Sequence, residues 1–124
     1  MTNLSTARAA AVALCAWVLI GLTASAQALE CPTPQPLSQP GVIKETPAEI
    51  AELAPVLTGG DVSAEIPKIA SALQKRYPKA QSAELVNYLI TAYCPALQKT
   101  AGLSDAQKSA RMDAFSKAAL AYFY

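Results

Sequence analysis

The sequence contains no histidine. Histidine is the commonest general base and the commonest metal-ligating side chain in proteins. Its absence excludes Ser–His and Cys–His catalytic pairs and the usual zinc sites. The chain also lacks an Asp-rich loop of the kind that binds calcium. We therefore predict that the protein is not an enzyme and that it has no catalytic residues, no cofactor and no metal site.

The longest apolar run is too short for a typical membrane-spanning helix. It covers residues 9–22 (AAAVALCAWVLIGL), or 14 residues, whereas a spanning helix needs roughly 20. Arg8 precedes the run, and small residues follow it as far as Ala28. This order is typical of a secretory signal peptide. Cleavage after Ala26 and cleavage after Ala28 are both compatible with the sequence, and a retained membrane anchor is the competing interpretation.

Neither sign of charge is in excess once the signal peptide is removed. The full chain has 10 Lys and Arg against 9 Asp and Glu, and Arg8 leaves with the signal peptide. A neutral chain without a basic run argues against nucleic acid or an anionic membrane as a partner. We expect no stable membrane span after cleavage. A protein partner is possible, and the oligomeric state is left open.

Cysteine is scarce, and its positions indicate a disulfide. Of the three cysteines, Cys15 lies in the signal peptide, so only Cys31 and Cys94 remain. Export normally passes through an oxidising compartment, which favours a bond between these two residues. The loop so closed holds 64 residues, counting both ends. The chain-entropy description gives it a stabilisation of about 4 kcal/mol. Two free thiols are the alternative.

Proline is concentrated near the start of the exported chain. Residues 32–40 read PTPQPLSQP, with four prolines in nine positions. Proline fixes φ and disfavours helix in the preceding residue. We therefore predict three segments: a signal peptide over 1–28, an extended arm over 29–45 that is partly polyproline II, and a helical domain over 46–124. The arm is interpreted as a spacer or a packed element rather than as a ligand for an aromatic groove.

Two helices are predicted between residues 46 and 77. Thr46 and Glu49 form a capping box that opens the first, and Pro55 ends or kinks it near residue 54. The second begins between residues 63 and 66, and Pro67 favours the later start because proline is best tolerated in a first turn. Apolar residues at helical spacing follow it: Ile66, Ile69, Ala70, Leu73 and Tyr77.

Two further helices are predicted after residue 80. The third, over about 83–93, is capped by Ser82 and stopped by Pro95, and it is the most apolar. It should form the centre of the core, with Leu89 buried. The fourth opens with a capping box at Ser104 and runs to about residue 122. Lys108 is placed on its outer surface.

These elements predict the fold class. No segment alternates with a period of two, so no strands are expected. Isolated helices this short are marginal in water, and their apolar faces must therefore pack together. We predict an all-α fold, namely a small bundle or orthogonal array of about four short helices with an extended Pro-rich N-terminal arm and one disulfide.

A few side chains are candidates for a site. Glu45, Glu49 and Glu52 lie close together in the sequence, although Glu49 already serves the capping box. Asn87 is a polar residue within the most apolar helix, and it can either bind the Pro-rich arm or face water. Aromatic residues cluster late in the chain and are interpreted as core or helix-docking residues. Three of them fall outside the predicted apolar stripes: Tyr88, Phe123 and Tyr124.

Two segments resemble small exported bacterial proteins of unassigned function. They are YLITAYCPAL at 88–97 and LSDAQKSARMDAFSKA at 103–118, and the most specific element is Tyr93-Cys94-Pro95. The resemblance implies no catalytic or binding residues. In size, helicity and cysteine count the exported chain is also similar to acid-stress chaperones of the periplasm. We expect a periplasmic or secreted, non-catalytic structural or partner-binding protein; the alternative is a chaperone that exposes apolar helix faces at low pH.

Overall fold

A computed structural model describes residues 28–59 and 61–124. These residues form five helices: α1 (Pro47–Ala51), α2 (Ala54–Thr58), α3 (Val62–Arg76), α4 (Ser82–Lys99) and α5 (Asp105–Phe123). The described ranges contain no strand, so the predicted all-helical fold is confirmed. None of the helices found there is both long and apolar enough to cross a membrane. The predicted signal peptide lies outside the described residues, except for Ala28.

The first predicted helix is divided in two. The Thr46 side chain accepts a hydrogen bond from the Glu49 amide, and the Glu49 carboxylate accepts one from the Thr46 amide, so the predicted capping box is present. A turn at residues 52–53 then separates α1 from α2. Pro55 is the second residue of α2, where a missing N–H has no helical partner to lose. It therefore opens the second short helix rather than ending the first.

Helix α3 begins earlier than predicted. The Asp61 side chain accepts a hydrogen bond of 3.0 Å from the Ser63 amide, and this cap starts the helix at Val62. Pro67 consequently lies inside the helix instead of in its first turn. Its missing N–H leaves the Ser63 carbonyl without a helical donor. The predicted later start was wrong because it was based on Pro67 and did not take the cap at Asp61 into account.

Helix α4 continues through the predicted stop at Pro95. It extends to Lys99, so that Cys94 and Pro95 both lie inside it. An interior proline costs about 3 kcal/mol or more. Leu97 in the following turn is only 1% exposed, and burial of a leucine side chain offsets about 1.5–3 kcal/mol of that cost. At the other end, Ser82 is the first helical residue rather than the cap.

Helix α4 is the centre of the core, as predicted. It packs against each of the other four helices described. The Tyr93 ring stacks on Phe115 of α5 with ring centroids 4.1 Å apart. Tyr88, which the predicted stripe left out, is only 6% exposed. The largest fully buried side chains are Phe115, Leu57, Ile66, Leu89, Leu97, Met112, Val86 and Cys94.

The arm is packed along α4, in the opposite direction to the helix. Its start lies at the C-terminal end of α4, where the Gln98 side chain bonds the Leu29 carbonyl. Its middle reaches the N-terminal end of the helix, where Ser38 meets Gln81. The chain bends at Ser38 and Gln39 and then passes Gly41, where a Cβ atom would stand only 2.6 Å from the Glu84 carboxylate. Glycine therefore permits the close approach of the returning arm to the helix.

Candidate functional site

Cys31 and Cys94 form the predicted disulfide. Their Cα atoms are 5.6 Å apart, within the usual range for such bonds. Cys94 is fully buried in α4, whereas Cys31 on the arm is exposed. The bond therefore pins an extended segment to the central helix, and one of its two residues remains accessible from solvent.

Asn87 binds the backbone of the arm. Its Oδ1 atom accepts a hydrogen bond of 2.6 Å from the Gln35 amide, and its Nδ2 atom donates one of 2.9 Å to the Gln35 carbonyl. An extended segment has no internal backbone partners, so its buried polar groups must be paired elsewhere. Of the two interpretations of Asn87, binding of the arm is therefore confirmed.

Other polar side chains on and beside α4 act in the same way. Gln81 Oε1 accepts a bond of 2.9 Å from the Ser38 amide, and Gln98 Nε2 donates one of 2.9 Å to the Leu29 carbonyl. The sequence analysis missed these residues because each was considered alone. They follow one another at intervals of three, three, four and seven residues. This spacing is typical of one face of a helix, so the shared face could have been recognised in the sequence. The residues of this polar stripe are Gln81, Glu84, Asn87 and Gln98, which bond the arm, and Thr91, which lies on the same face.

The end of the arm is tied down by a cluster around Glu45, which we call the Glu45 cluster. Tyr77 and Tyr88 both donate hydrogen bonds to the Glu45 carboxylate, and Arg76 pairs with it at 2.6 Å. The bonds from Tyr77 and Tyr88 lower the pKa of Glu45; the Arg76 charge lowers it further, and burial opposes them. Burial, followed by the bond to Glu45, raises the pKa of both tyrosines.

These shifts make the Glu45 cluster unsuited to proton transfer near neutral pH. A general base or acid works best when its pKa lies near the working pH. The carboxylate is instead a weaker base than usual, and the two tyrosines are weaker acids than usual. Arg76, Tyr77 and Tyr88 each bond the Glu45 carboxylate. The cluster therefore acts as a structural tie between the arm, the end of α3 and α4.

The three glutamates named from the sequence do line one pocket, together with Arg76, Leu53 and Tyr88. Glu45 is bonded within its cluster, and Glu49 is bonded in the capping box of α1. Glu52 is exposed. Among the residues that the structure describes, no group of three carboxylate or cysteine side chains is placed to share a metal ion.

Replacing Glu45 by glutamine should weaken the attachment of the arm. Loss of a charged acceptor for two tyrosines should lower the free energy of unfolding at pH 7 by about 1–3 kcal/mol. Arg76 is largely exposed, so its ion pair contributes little. Because the pKa of Glu45 lies below its ordinary value of 4.5, its stabilisation is complete above that pH and is lost as the pH falls through the lower folded-state value.

Chemical denaturation between pH 2 and pH 7 checks this expectation. The stability difference between wild type and Glu45→Gln should be largest near neutrality and should shrink at low pH. Glu49 also has a lowered pKa, and its own acid dependence largely cancels in the difference between the two proteins, because the Glu45 charge is the smallest of the effects on that pKa. Glu52→Gln is the matched control and should leave the curve unchanged. A difference that stays constant with pH would contradict the role given to the Glu45 carboxylate.

An uncharged groove runs beside the disulfide, between the arm and α4. Its volume is about 480 Å³, within the range of pockets that hold small ligands or side chains. We call it the disulfide groove; its lining residues are Cys31, Pro32, Thr33, Pro34, Asn87, Ile90, Thr91 and Pro95. Its walls are mostly apolar, and the disulfide and the Asn87–Gln35 bonds hold them in place.

No protein-family model, curated protein or solved structure matches the chain. The resemblance of residues 88–97 and 103–118 to small exported bacterial helical proteins therefore stays a prediction from the sequence.

Proposed function

We propose that the protein is exported, is cleaved after Ala26 or Ala28, and acts in the periplasm or outside the cell as a non-catalytic partner-binding module. The observation that carries this proposal is the disulfide groove. Its walls are a proline-rich segment and a helix, joined covalently, so that little conformational entropy remains to be lost on binding. The Glu45 carboxylate is already bonded to Arg76, Tyr77 and Tyr88, which supports a non-catalytic role.

The lining of the groove indicates the kind of segment that it binds. None of its lining residues carries a charge, so an uncharged apolar segment of a partner protein is favoured over a charged one. Pro32, Pro34 and Ile90 provide apolar walls, and Thr33 and Thr91 can offer hydroxyl hydrogen bonds. We therefore propose a short apolar segment of a protein in the cell envelope as the occupant.

Recovery of the protein from the envelope of its native host tests both parts of the proposal. A full-length gene with a C-terminal tag should yield protein whose intact mass begins at Gln27 or Leu29. At pH 7 it should retain one partner in defined stoichiometry. Thr33 is exposed in the groove, so Thr33→Arg should fold normally yet reduce capture at least about tenfold, because it places an unpaired charge in an apolar contact.

Lys75→Ala is the control, since Lys75 is exposed on α3, away from the residues lining the groove. It should capture the partner as the wild type does. A mass that begins at Met1 would contradict export with cleavage and revive the membrane anchor. Equal capture by Thr33→Arg and wild type, or no stoichiometric partner at all, would contradict the assignment of the groove.

The Glu45 cluster favours a second candidate function, that of an acid-activated chaperone. Protonation of Glu45 below its folded-state pKa removes the negative charge of the acceptor shared by Tyr77 and Tyr88, which weakens both bonds and loosens the arm over the apolar face of α4. The same capture experiment at pH 3 separates the two functions. A chaperone would bind many unfolded clients at pH 3 and few at pH 7, whereas a partner-binding module would keep one partner at neutral pH.

A further inference from the structure

Glu84 is a buried carboxylate without a counter-charge. It is 8% exposed and is the only charged residue in the described chain that is buried. Its Oε1 atom accepts a hydrogen bond of 2.7 Å from the Ile43 amide. Its Oε2 atom is buried, and no protein donor within the described ranges reaches it. The ion pairs found in these ranges join Lys68–Glu65, Arg76–Glu45 and Lys117–Asp113, so none of them neutralises Glu84.

An isolated buried charge is costly, so a carboxylate in this position calls for a partner. Removal of an ionised group from water costs several kcal/mol unless it is paired and hydrogen-bonded. Glu84 lies in the first turn of α4, where the helix dipole favours a negative charge. That effect and a single backbone hydrogen bond leave one carboxylate oxygen unsatisfied.

Glu84 lines a cavity of about 370 Å³ between the arm, α1 and α4, which we call the Glu84 cavity. Its other walls come from the returning arm and from the two helices. They are Leu37, Gly41, Ile43, Lys44, Glu45, Ile50, Asn87, Tyr88 and Thr91. The cavity therefore combines the Glu84 carboxylate with apolar side chains and an aromatic ring.

The chemical groups that line the Glu84 cavity favour one class of ligand. A divalent metal ion needs several oxygen ligands, yet the neighbouring Glu45 carboxylate already bonds Arg76, Tyr77 and Tyr88. An anion would be repelled by Glu84. A primary ammonium group carries one positive charge and three donors, and an alkyl stem behind it would contact Leu37, Ile43 and Ile50.

We infer that the Glu84 cavity binds a small primary alkylamine, with the ammonium group on the Glu84 carboxylate and the alkyl stem against the apolar wall. The Tyr88 ring lines the same cavity and can add a cation–π attraction. Lys44 is the competing cation at this cavity, and its ammonium group is held by the Gly41 carbonyl at 3.1 Å rather than by Glu84. The protein thus supplies the carboxylate, and the ligand supplies the positive charge that pairs with it.

The returning arm can give way to admit the ligand. Between residues 37 and 45 it makes no backbone–backbone hydrogen bond in the part of the chain that the structure describes. Gly41 brings its backbone directly against Glu84. A small displacement of this segment therefore widens the cavity beside the Glu84 carboxylate without breaking a ladder of backbone bonds.

Titration of the oxidised protein with n-butylamine hydrochloride at pH 7 tests this inference. The amine is cationic at that pH, as lysine is. In a ¹⁵N–¹H correlation spectrum the largest shifts should fall on the amide of Ile43, which donates to Glu84, and on Glu84 and Thr91. Binding should be saturable. Glu84→Gln keeps an acceptor for Ile43 but removes the charge, and should weaken binding at least about tenfold.

Two controls keep the inference falsifiable. n-Butanol has the same alkyl stem without the charge and should not produce these shifts, and Glu65→Gln should bind butylamine as the wild type does. If Glu84→Gln does not fold, the location of the chemical-shift changes in the wild-type protein still tests whether butylamine binds at Glu84. Absence of saturable binding, equal effects of butanol, or shifts scattered over the exposed carboxylates of Glu49, Glu52 and Asp113 would overturn the inference.

This inference is independent of the proposed partner-binding function. The Glu84 cavity and the disulfide groove share only Asn87 and Thr91 among their lining residues. Thr33→Arg acts on the groove and should leave butylamine binding unchanged. Glu84→Gln acts on the cavity and should leave capture of the protein partner unchanged. Failure of one assignment is therefore distinguishable from failure of the other.

Discussion

Reduction of the Cys31–Cys94 bond should lower the free energy of unfolding by about 4 kcal/mol, as the chain-entropy description gives for a loop of this length. The two residues are separated by 63 positions, so the bond removes much conformational freedom from the unfolded chain. Domains of this size are stable by only about 5–15 kcal/mol. Cys31 is exposed, so a thiol reductant can reach the bond. Denaturant midpoints of oxidised and reduced protein measure the difference.

The double variant Cys31→Ala/Cys94→Ala is the control for effects of the reductant itself. Its midpoint should match that of the reduced wild type and should not respond to reductant. The oxidised wild type should show no titratable thiol. Equal midpoints with and without reductant, or two free thiols in protein freshly isolated from the envelope, would contradict the pairing. A disulfide-linked dimer would mean that the cysteines serve assembly.

The features that could be predicted from the sequence depend on neighbouring residues or, for the disulfide, on the number of cysteines. The capping boxes at Thr46 and Ser104 each need only a residue three positions away, and both are present. The apolar stripe of the third predicted helix placed α4 at the centre of the core. The disulfide could be predicted because only two cysteines remain once the predicted signal peptide is removed, so only one intramolecular pair is possible. In each case the information lies within a few turns of chain or in a single pair.

Proline was the least reliable signal, because its effect depends on what surrounds it. Pro55 opens a helix instead of ending one, Pro67 lies within α3, and Pro95 lies within α4. The rule that proline stops a helix holds when nothing offsets its cost of about 3 kcal/mol. Burial of Leu97 beyond Pro95 provides such an offset, and it becomes visible only when the tertiary packing is known.

The role of Glu84 could not be found from the sequence because its contact is remote in the chain. Glu84 bonds a residue 41 positions away, and the Asn87 bond, which spans 52 positions, could be named only as one of two alternatives. In the first turn of a helix a glutamate is ordinarily a solvated residue that complements the dipole. The returning arm buries Glu84, and no local pattern marks that burial. Lys108 is a similar case: it is half-buried and donates to the Gln98 carbonyl at 2.7 Å, so it is not a simple surface residue.

Leu89→Ala should lower the free energy of unfolding by about 2–5 kcal/mol, the range for a buried leucine cut to alanine. Leu89 is fully buried in α4, and α4 packs against the four other helices that the structure describes. A cavity at that position is enclosed by several elements, none of which can move in alone to fill it. The expected loss therefore lies in the upper part of the range. Denaturant unfolding of the oxidised protein gives the value directly.

Two matched variants separate the loss of packing from other effects. Leu89→Met nearly conserves side-chain volume and should cost less than about 1.5 kcal/mol. Lys75→Ala, on an exposed position of α3, should stay within about 0.5 kcal/mol of the wild type. Lys108 is unsuitable as this control, because its bond to the Gln98 carbonyl would add a second effect. Similar losses for Leu89→Ala and Lys75→Ala would mean that α4 is not enclosed by the other helices, because an open site would relax around the smaller side chain.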